Sequence, residues 1–173
     1  MRVREADASD AAAIAAVHVS GWEGTYRGMI PDEAFDERTL ARRTAMWQEI
    51  LGPAGDPVDG QRPWACVAVR DRTPIGFASL NVPSRDDGAG PRTGEISALY
   101  VEPAAWRAGT GTALMDATLA EAARRGCTEV TLWVLEPNLR ARAFYERRGF
   151  ADDGARRTAG DDWPVELRMR RAL

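Results

Sequence analysis

Lysine is missing from this 173-residue chain, so all 23 basic side chains are arginines, and a single histidine, His18, completes the set. The arginines are spread along the sequence. The formal net charge is −3, so a nucleic-acid footprint made by bulk positive charge is excluded as an expectation. Cysteine is equally scarce. Cys66 and Cys127 have no CxxC spacing and no neighbouring histidine, which argues against zinc and against a thiol paired with a nearby base. They read as small buried hydrophobes in a reducing compartment. No apolar run is long enough to span a bilayer. The charged start Met1-Arg2-Val3-Arg4-Glu5 is not a secretory leader, so a cytoplasmic protein without membrane attachment is expected.

What is present fits one ordinary α/β domain covering residues 1–173. Val3 to Ala6 reads as a strand, followed by a helix from Ser9 to Ser20 with Ile14, Val17 and Gly21 on helical spacing. Pro31-Asp32-Glu33 opens a second helix that buries Phe35, Leu40, Trp47 and Leu51. Gly52 to Pro63 is a loop. Trp64 to Val69 and Pro74 to Val82 form a hairpin around Asp71-Arg72-Thr73, and Pro83 to Pro91 is a second polar loop. Then come a strand from Gly94 to Val101, a helix from Thr110 to Arg125 stopped by Gly126, and a β-branched strand from Glu129 to Leu135. A helix capped by Asn138 runs to Arg148. Phe150 to Arg156 and Trp163 to Met169 close the chain as an antiparallel pair. The strand–helix–strand order calls for a right-handed parallel crossover.

The chemistry concentrates at Trp106-Arg107-Ala108-Gly109-Thr110-Gly111-Thr112, where a strand hands over to a helix. First-turn amides lack helical partners and carry partial positive charge, so the turn suits an anion such as a pyrophosphate. The spacing is neither GxxxxGK[ST] nor GxGxxG, which disfavours an NTPase or a dinucleotide fold. The competing reading is that Gly109 and Gly111 only permit tight helix–sheet packing.

Three stretches in order, Ile96-Ser97-Ala98-Leu99-Tyr100-Val101-Glu102-Pro103, Trp106-x-x-Gly109-x-Gly111 and Asn138-x-x-Ala141-x-x-Phe144-Tyr145-x-x-x-Gly149-Phe150, resemble the GNAT superfamily of acyl-CoA-dependent N-acyltransferases. Weaker likeness in Trp22-x-x-x-Tyr26-Arg27-Gly28-Met29-Ile30-Pro31 and Glu166-Leu167-Arg168, to a common bacterial branch, extends this over most of the chain. The resemblance implies a mixed central sheet of six to seven strands with a partly parallel, V-shaped split, flanked by about four helices. It implies acetyl-CoA as co-substrate and a primary amine of a small molecule or peptide as acceptor, attacking in a ternary complex.

Carried over residue by residue, it sets the pantetheine arm along Leu99, Tyr100 and Val101, opposite the strand holding Trp133. It sets the pyrophosphate on Trp106 to Thr112 and the arm's amides near Asn138. Tyr145 is implied as the acid for the leaving sulfur, and Glu95 as the base or relay for the amine. Glu95 reads equally as a solvated strand-entry charge, and His18, implied on the helix face that lines the acceptor side and binds the substrate, ranks below it as a base. Trp22, Tyr26 and Trp163 suit an aromatic acceptor wall. Two departures stand out: Trp106 occupies a position where glutamine or arginine is usual, and Arg107 one where glycine is common. A catalytically silent acyl-CoA sensor and a nucleotide-phosphate binder compete with the enzyme reading. The sequence is compatible with a monomer or a homodimer, and it does not identify the acceptor.

Overall fold

A computed structural model describes residues 1–36, 39–52, 63–160 and 162–173. Seven strands form one sheet in the order β1-β2-β3-β4-β5-β7-β6. They are β1 (Arg2–Glu5), β2 (Trp64–Arg70), β3 (Thr73–Asn81), β4 (Thr93–Val101), β5 (Glu129–Leu135), β6 (Ala151–Arg157) and β7 (Glu166–Ala172). Every neighbouring pair is antiparallel except β4 and β5. The expected mixed α/β sheet with a parallel pair at its centre is what the chain adopts.

Helices cover both faces. α1 (Ala11–Tyr26) and α3 (Leu40–Leu51) lie on one side, with a short α2 (Glu33–Asp36) between them in sequence. There Ile14, Val17 and Trp47 pack on Val67 and Phe77. Trp47 is fully buried, a contribution on the order of 2–3 kcal/mol. α4 (Thr110–Arg124) and α5 (Leu139–Arg147) follow β4 and β5. Leu114, Met115, Leu132, Leu167 and Met169 make the core of that second face, with Phe144 and Tyr145 packed against it.

The local chemistry corrects three boundaries. α1 runs to Tyr26 rather than stopping at Ser20, which brings Trp22 and Tyr26 onto its last turns. The single helix expected from Pro31 is two helices, because the Thr39 hydroxyl accepts the Arg42 amide and starts α3 afresh. That restart turns Leu40 to solvent, against the expectation that it is buried. Trp163 lies in the connection before β7, which begins at Glu166. The loop expected from Gly52 to Pro63 falls, except for its two ends, outside the described residues. Both cysteines are buried, and burial pushes the Cys66 thiol up to about 11, as a small core side chain requires. Among the described residues no helix is long and apolar enough to cross a membrane.

One irregularity positions everything below. β4 and β5 pair only from Thr93 opposite Glu129 to Glu95 opposite Thr131, and beyond that point they diverge. Ser97 is exposed, and Ala98, Leu99 and Tyr100 are half-buried, although their strand lies in mid-sheet. The sheet is split from Ile96 onward.

Candidate active site

The turn that leaves β4 is built before the helix begins. A 3-10 turn at Pro103–Ala105 closes with the Ala105 amide donating to Glu102 and the Trp106 amide donating to Pro103. Arg107 and Gly109 then take positive φ, 59° and 80°, and Gly109 caps α4. The first helical bond runs from the Ala113 amide to the Gly109 carbonyl at 3.0 Å. The amides of Thr110, Gly111 and Thr112 precede it and have no carbonyl one turn earlier in the helix. Thr110 is buried, with its hydroxyl 3.5 Å from the Ala105 carbonyl, whereas Arg107, Ala108, Gly109 and Thr112 are exposed.

The glycines are not explained by packing. A Cβ on Gly109 would meet nothing within 4 Å. One on Gly111 would meet only Phe144 at 3.6 Å and Val101 at 3.9 Å, ordinary contact distances. Gly109 is needed for its left-handed backbone, and Gly111 brings the first turn of α4 close to Phe144 and Val101.

Trp106 is tied into the strand that precedes it, its indole N–H donating to the Val101 carbonyl at 2.8 Å. The Arg140 guanidinium of α5 lies 3.6 Å from the centre of the indole. Burial, and then the neighbouring charge of Arg107, hold Arg140 below the ordinary arginine range. Arg107 and Arg140 are thus close enough for their charges to repel beside the mouth of α4. Asn138 is buried and caps α5, its Oδ1 accepting the Ala141 amide at 3.1 Å. That bond occupies the oxygen and leaves the amide N–H2 for another partner.

The phenols gather at the split. Tyr145 packs against Phe144 and Phe150, with centroids 5.4 and 6.0 Å away. Burial, with the Tyr26 phenol adding to it, raises the Tyr145 hydroxyl well above the usual range, so it stays protonated at neutral pH. The Tyr100 hydroxyl lies 3.5 Å from that of Tyr26 and is also pushed up, mainly by burial.

Glu95 is 8% exposed, so it is not a solvated strand-entry charge. Its Oε2 accepts the Arg85 amide at 3.0 Å and faces the Asn81 Nδ2 at 3.5 Å. The Asn81 Oδ1 is buried without a hydrogen-bond partner, an acceptor beside Glu95. His18 is buried against Tyr100, Phe77 and Trp47, with centroids at 4.9, 5.3 and 6.1 Å. Its Nδ1 accepts the Trp47 indole N–H at 3.2 Å, which fixes the ring behind Tyr100.

In front of Tyr100 lies a cavity of about 240 Å³. Trp22 and Tyr26 come to it from α1, Leu135 from the end of β5, and Trp163, Pro164 and Glu166 from the approach to β7.

This arrangement of split sheet, helix mouth without a side-chain cap and half-buried phenol coincides with a family match: the acetyltransferase (GNAT) family model covers residues 24–150. The chain belongs to the GNAT acetyltransferase family. The protein "Probable N-acetyltransferase Rv2775" of Mycobacterium tuberculosis is 29% identical over 154 residues, 89% of this chain and 82% of that one. A mycothiol acetyltransferase of Salinispora arenicola is 50% identical over 62 residues, 35% of this chain but only 20% of that protein. The PaiA N-acetyltransferase of Thermoplasma acidophilum, solved in complex with coenzyme A, superposes with a TM-score of 0.80 over 99% of this chain and 98% of its own. At 18% identity that likeness speaks for the fold alone.

In this GNAT enzyme, an acetyl-CoA-dependent N-acetyltransferase, Leu99 to Val101 lie on the β4 side of the split, Trp106 to Thr112 form the helix mouth that follows it, and Asn138 and Tyr145 lie at the cap and within α5. Trp22, Tyr26 and Trp163 meet around the cavity, and His18 stands one layer behind them. Sequence reasoning missed Arg140, whose stacking on Trp106 crosses two elements, and Asn81, whose only signal was a polar side chain at the end of an apolar strand. It also missed Leu135, Pro164 and Glu166, which become neighbours only when β7 inserts between β5 and β6.

Proposed function

We propose that this chain transfers an acetyl group from acetyl-CoA to a primary amine of a small molecule or peptide, by direct attack while both are bound. The observation that carries the reading is the set of unpartnered amides at Thr110, Gly111 and Thr112, opening beside the split where β4 leaves β5.

The residues fit coenzyme A. Amides from the Gly109–Thr112 turn, with Arg107 and Arg140, supply donors and positive charge for a diphosphate. The edge of β4 from Leu99 to Val101 suits the amides of the pantetheine arm, and the Asn138 N–H2 suits a carbonyl of the same arm. Bound acetyl-CoA supplies an activated acetyl thioester. Backbone donors of β4 near Tyr100 and Val101 stabilise the oxygen on which charge develops. Tyr145, kept protonated by burial, gives its proton to the departing sulfur. Glu95 receives the proton of the amine, directly or through a water held at the Asn81 Oδ1. Trp22, Tyr26 and Trp163 wall the acceptor side, and His18 contributes by holding the Tyr100 ring in place.

The test is release of free thiol from acetyl-CoA across a panel of amines, with propionyl-CoA as a control for acyl size, beside calorimetry of coenzyme A. Amine-dependent thiol release supports the transferase. Tight coenzyme A uptake with no release on any amine would make the chain a silent sensor. Equal competition by ATP or NAD would make the turn a general phosphate site.

A further inference from the structure

Resting on that reading, we infer that Asp86 is the positioning residue for Glu95. It latches the loop between β3 and β4 across the fork of the sheet, and so fixes which Glu95 oxygen meets the amine. The loop leaves β3 after Asn81 and returns to β4 at Thr93, where the Ser84 amide donates to the Thr93 carbonyl at 2.7 Å. Its next two residues reach two different strands. The Arg85 backbone N–H donates to Glu95 Oε2 on β4 at 3.0 Å. The Asp86 carboxylate accepts the Trp133 indole N–H on β5, with Oδ1 at 2.7 Å and Oδ2 at 3.0 Å. Glu95 stands opposite Thr131, the last paired position of the β4–β5 ladder. Trp133 is two residues farther along β5 and therefore on the same face as Thr131. The loop spans the point at which the two strands part.

The latch is buried. The Asp86 side chain is only 9% exposed although it belongs to a loop. A carboxylate withdrawn from water is costly unless charge and hydrogen bonds compensate. The compensation comes from β6 and β7, whose Arg157 and Arg168 bring guanidinium nitrogens to 3.8 and 3.7 Å from the Asp86 oxygens. Arg157 also stacks on Trp133, 4.2 Å from the ring centre. Three strands thus hold one loop side chain in one orientation. An apolar residue could keep a loop down; an indole donating to a carboxylate also gives it a direction.

Direction matters because of the residue just before. Both contacts to Glu95, from the Arg85 amide and from Asn81 Nδ2 at 3.5 Å, fall on Oε2. Oε1 is the oxygen left for the proton of the amine, or for a water at the unpartnered Asn81 Oδ1. Without the Asp86 latch, the Arg85 amide is free to swing away and the Glu95 carboxylate to turn.

The experiment joins hydrogen exchange to a kinetic cycle on Asp86→Ala, Asp86→Asn, Trp133→Phe, Glu95→Gln and the double variant of Asp86→Ala with Glu95→Gln. Thiol release from acetyl-CoA is followed with 2-phenylethylamine, spermidine, glucosamine and phenylalanylglycine, and the fastest amine carries the cycle. Asp86→Ala and Trp133→Phe should each speed exchange of the Arg85 amide about tenfold. Each should lower kcat about 10- to 100-fold with the KM for acetyl-CoA unchanged. Asp86→Asn keeps an oxygen for the indole and should hold kcat within about threefold of wild type. Glu95→Gln should be as slow alone as in the double variant, within about twofold, because Asp86 acts through Glu95. A purely structural Asp86 gives a lower melting temperature, an unchanged kcat per folded molecule, and effects that multiply in the double variant. Unchanged kcat or multiplying effects overturn the positioning role, as does an Arg85 amide whose exchange ignores Asp86. Should Asp86→Ala fail to fold, Trp133→Phe, alone and with Glu95→Gln, decides in its place. Full turnover by Glu95→Gln, or no thiol release by the wild-type chain with any amine, is a separate result that overturns the parent reading and this inference with it.

Discussion

The mouth of α4 and the cavity in front of Tyr100 are made of different materials. The mouth is backbone: consecutive amides, a left-handed glycine at position 109 and a helix end, all within seven residues of sequence. The cavity is side chain: Trp22, Tyr100, Leu135 and Trp163 arrive from four separate segments across more than half the chain. A backbone device tolerates exchange of most side chains around it, which is why Trp106 and Arg107 can stand where other residues are usual. A side-chain device changes its ligand whenever a wall residue changes. On the proposed reading, a donor site built from backbone and an acceptor site built from side chains flank one split.

Variants should respect that division. The largest effect is expected where the two sites meet. Tyr145→Phe should lower kcat by about 100- to 1000-fold while leaving the calorimetric affinity for coenzyme A unchanged. Retained turnover would remove Tyr145 as the proton donor. Next comes the mouth. Gly109→Val forces a β-branched residue into positive φ at a cost of about 1–3 kcal/mol and displaces the amides, so coenzyme A affinity should fall about 100-fold. Gly111→Ala sharpens the same point. Alanine favours the helix by about 1 kcal/mol and meets only ordinary contacts, so the melting temperature should hold or rise while coenzyme A binding weakens.

Arg140→Ala should weaken coenzyme A by about tenfold, less so at high salt, because it removes one charge and the stack on Trp106. The smallest effect on activity, none, is expected for Asp10→Asn. Asp10 accepts two N–H groups of Arg4, at 2.6 and 2.8 Å, far from both sites. The hydrogen bonds from Arg4 hold the Asp10 carboxyl below its usual range. Its stabilisation is therefore complete above the ordinary carboxylate pKa of about 3.9 and is lost as the pH falls through the lower folded value. Urea titration should show Asp10→Asn less stable by about 1–3 kcal/mol at neutral pH, the gap closing in acid.

Legibility in the sequence followed the same division. The strand-to-helix turn from Trp106 to Thr112 could be read because its parts are contiguous: strand, glycines and helix follow one another, and the amide argument needs no tertiary contact. The helix from Pro31 was misread as one piece because the apolar spacing of Phe35, Leu40 and Trp47 continues through Thr39, and only the cap bond from Arg42 reveals the restart. Leu40, counted as buried, is half exposed for that reason. Glu95 could be singled out, but its burial could not, since that depends on Asn81 and on the Arg85 amide folding back over it. Arg140 lay hidden because a guanidinium on a charged helix looks like any solvated arginine until Trp106 is placed beneath it.

The early end of the β4–β5 ladder has a further consequence. A sheet that opens in its middle exposes an interior margin, and the chain carries this margin wherever no guest lies along it. A ligand with amides of its own would act there as a missing strand, so occupancy should tighten the whole central sheet, with slowed hydrogen exchange at the amides of Ile96 to Val101. On the proposed reading, the seam left open in the resting sheet is the edge along which the ligand would pair.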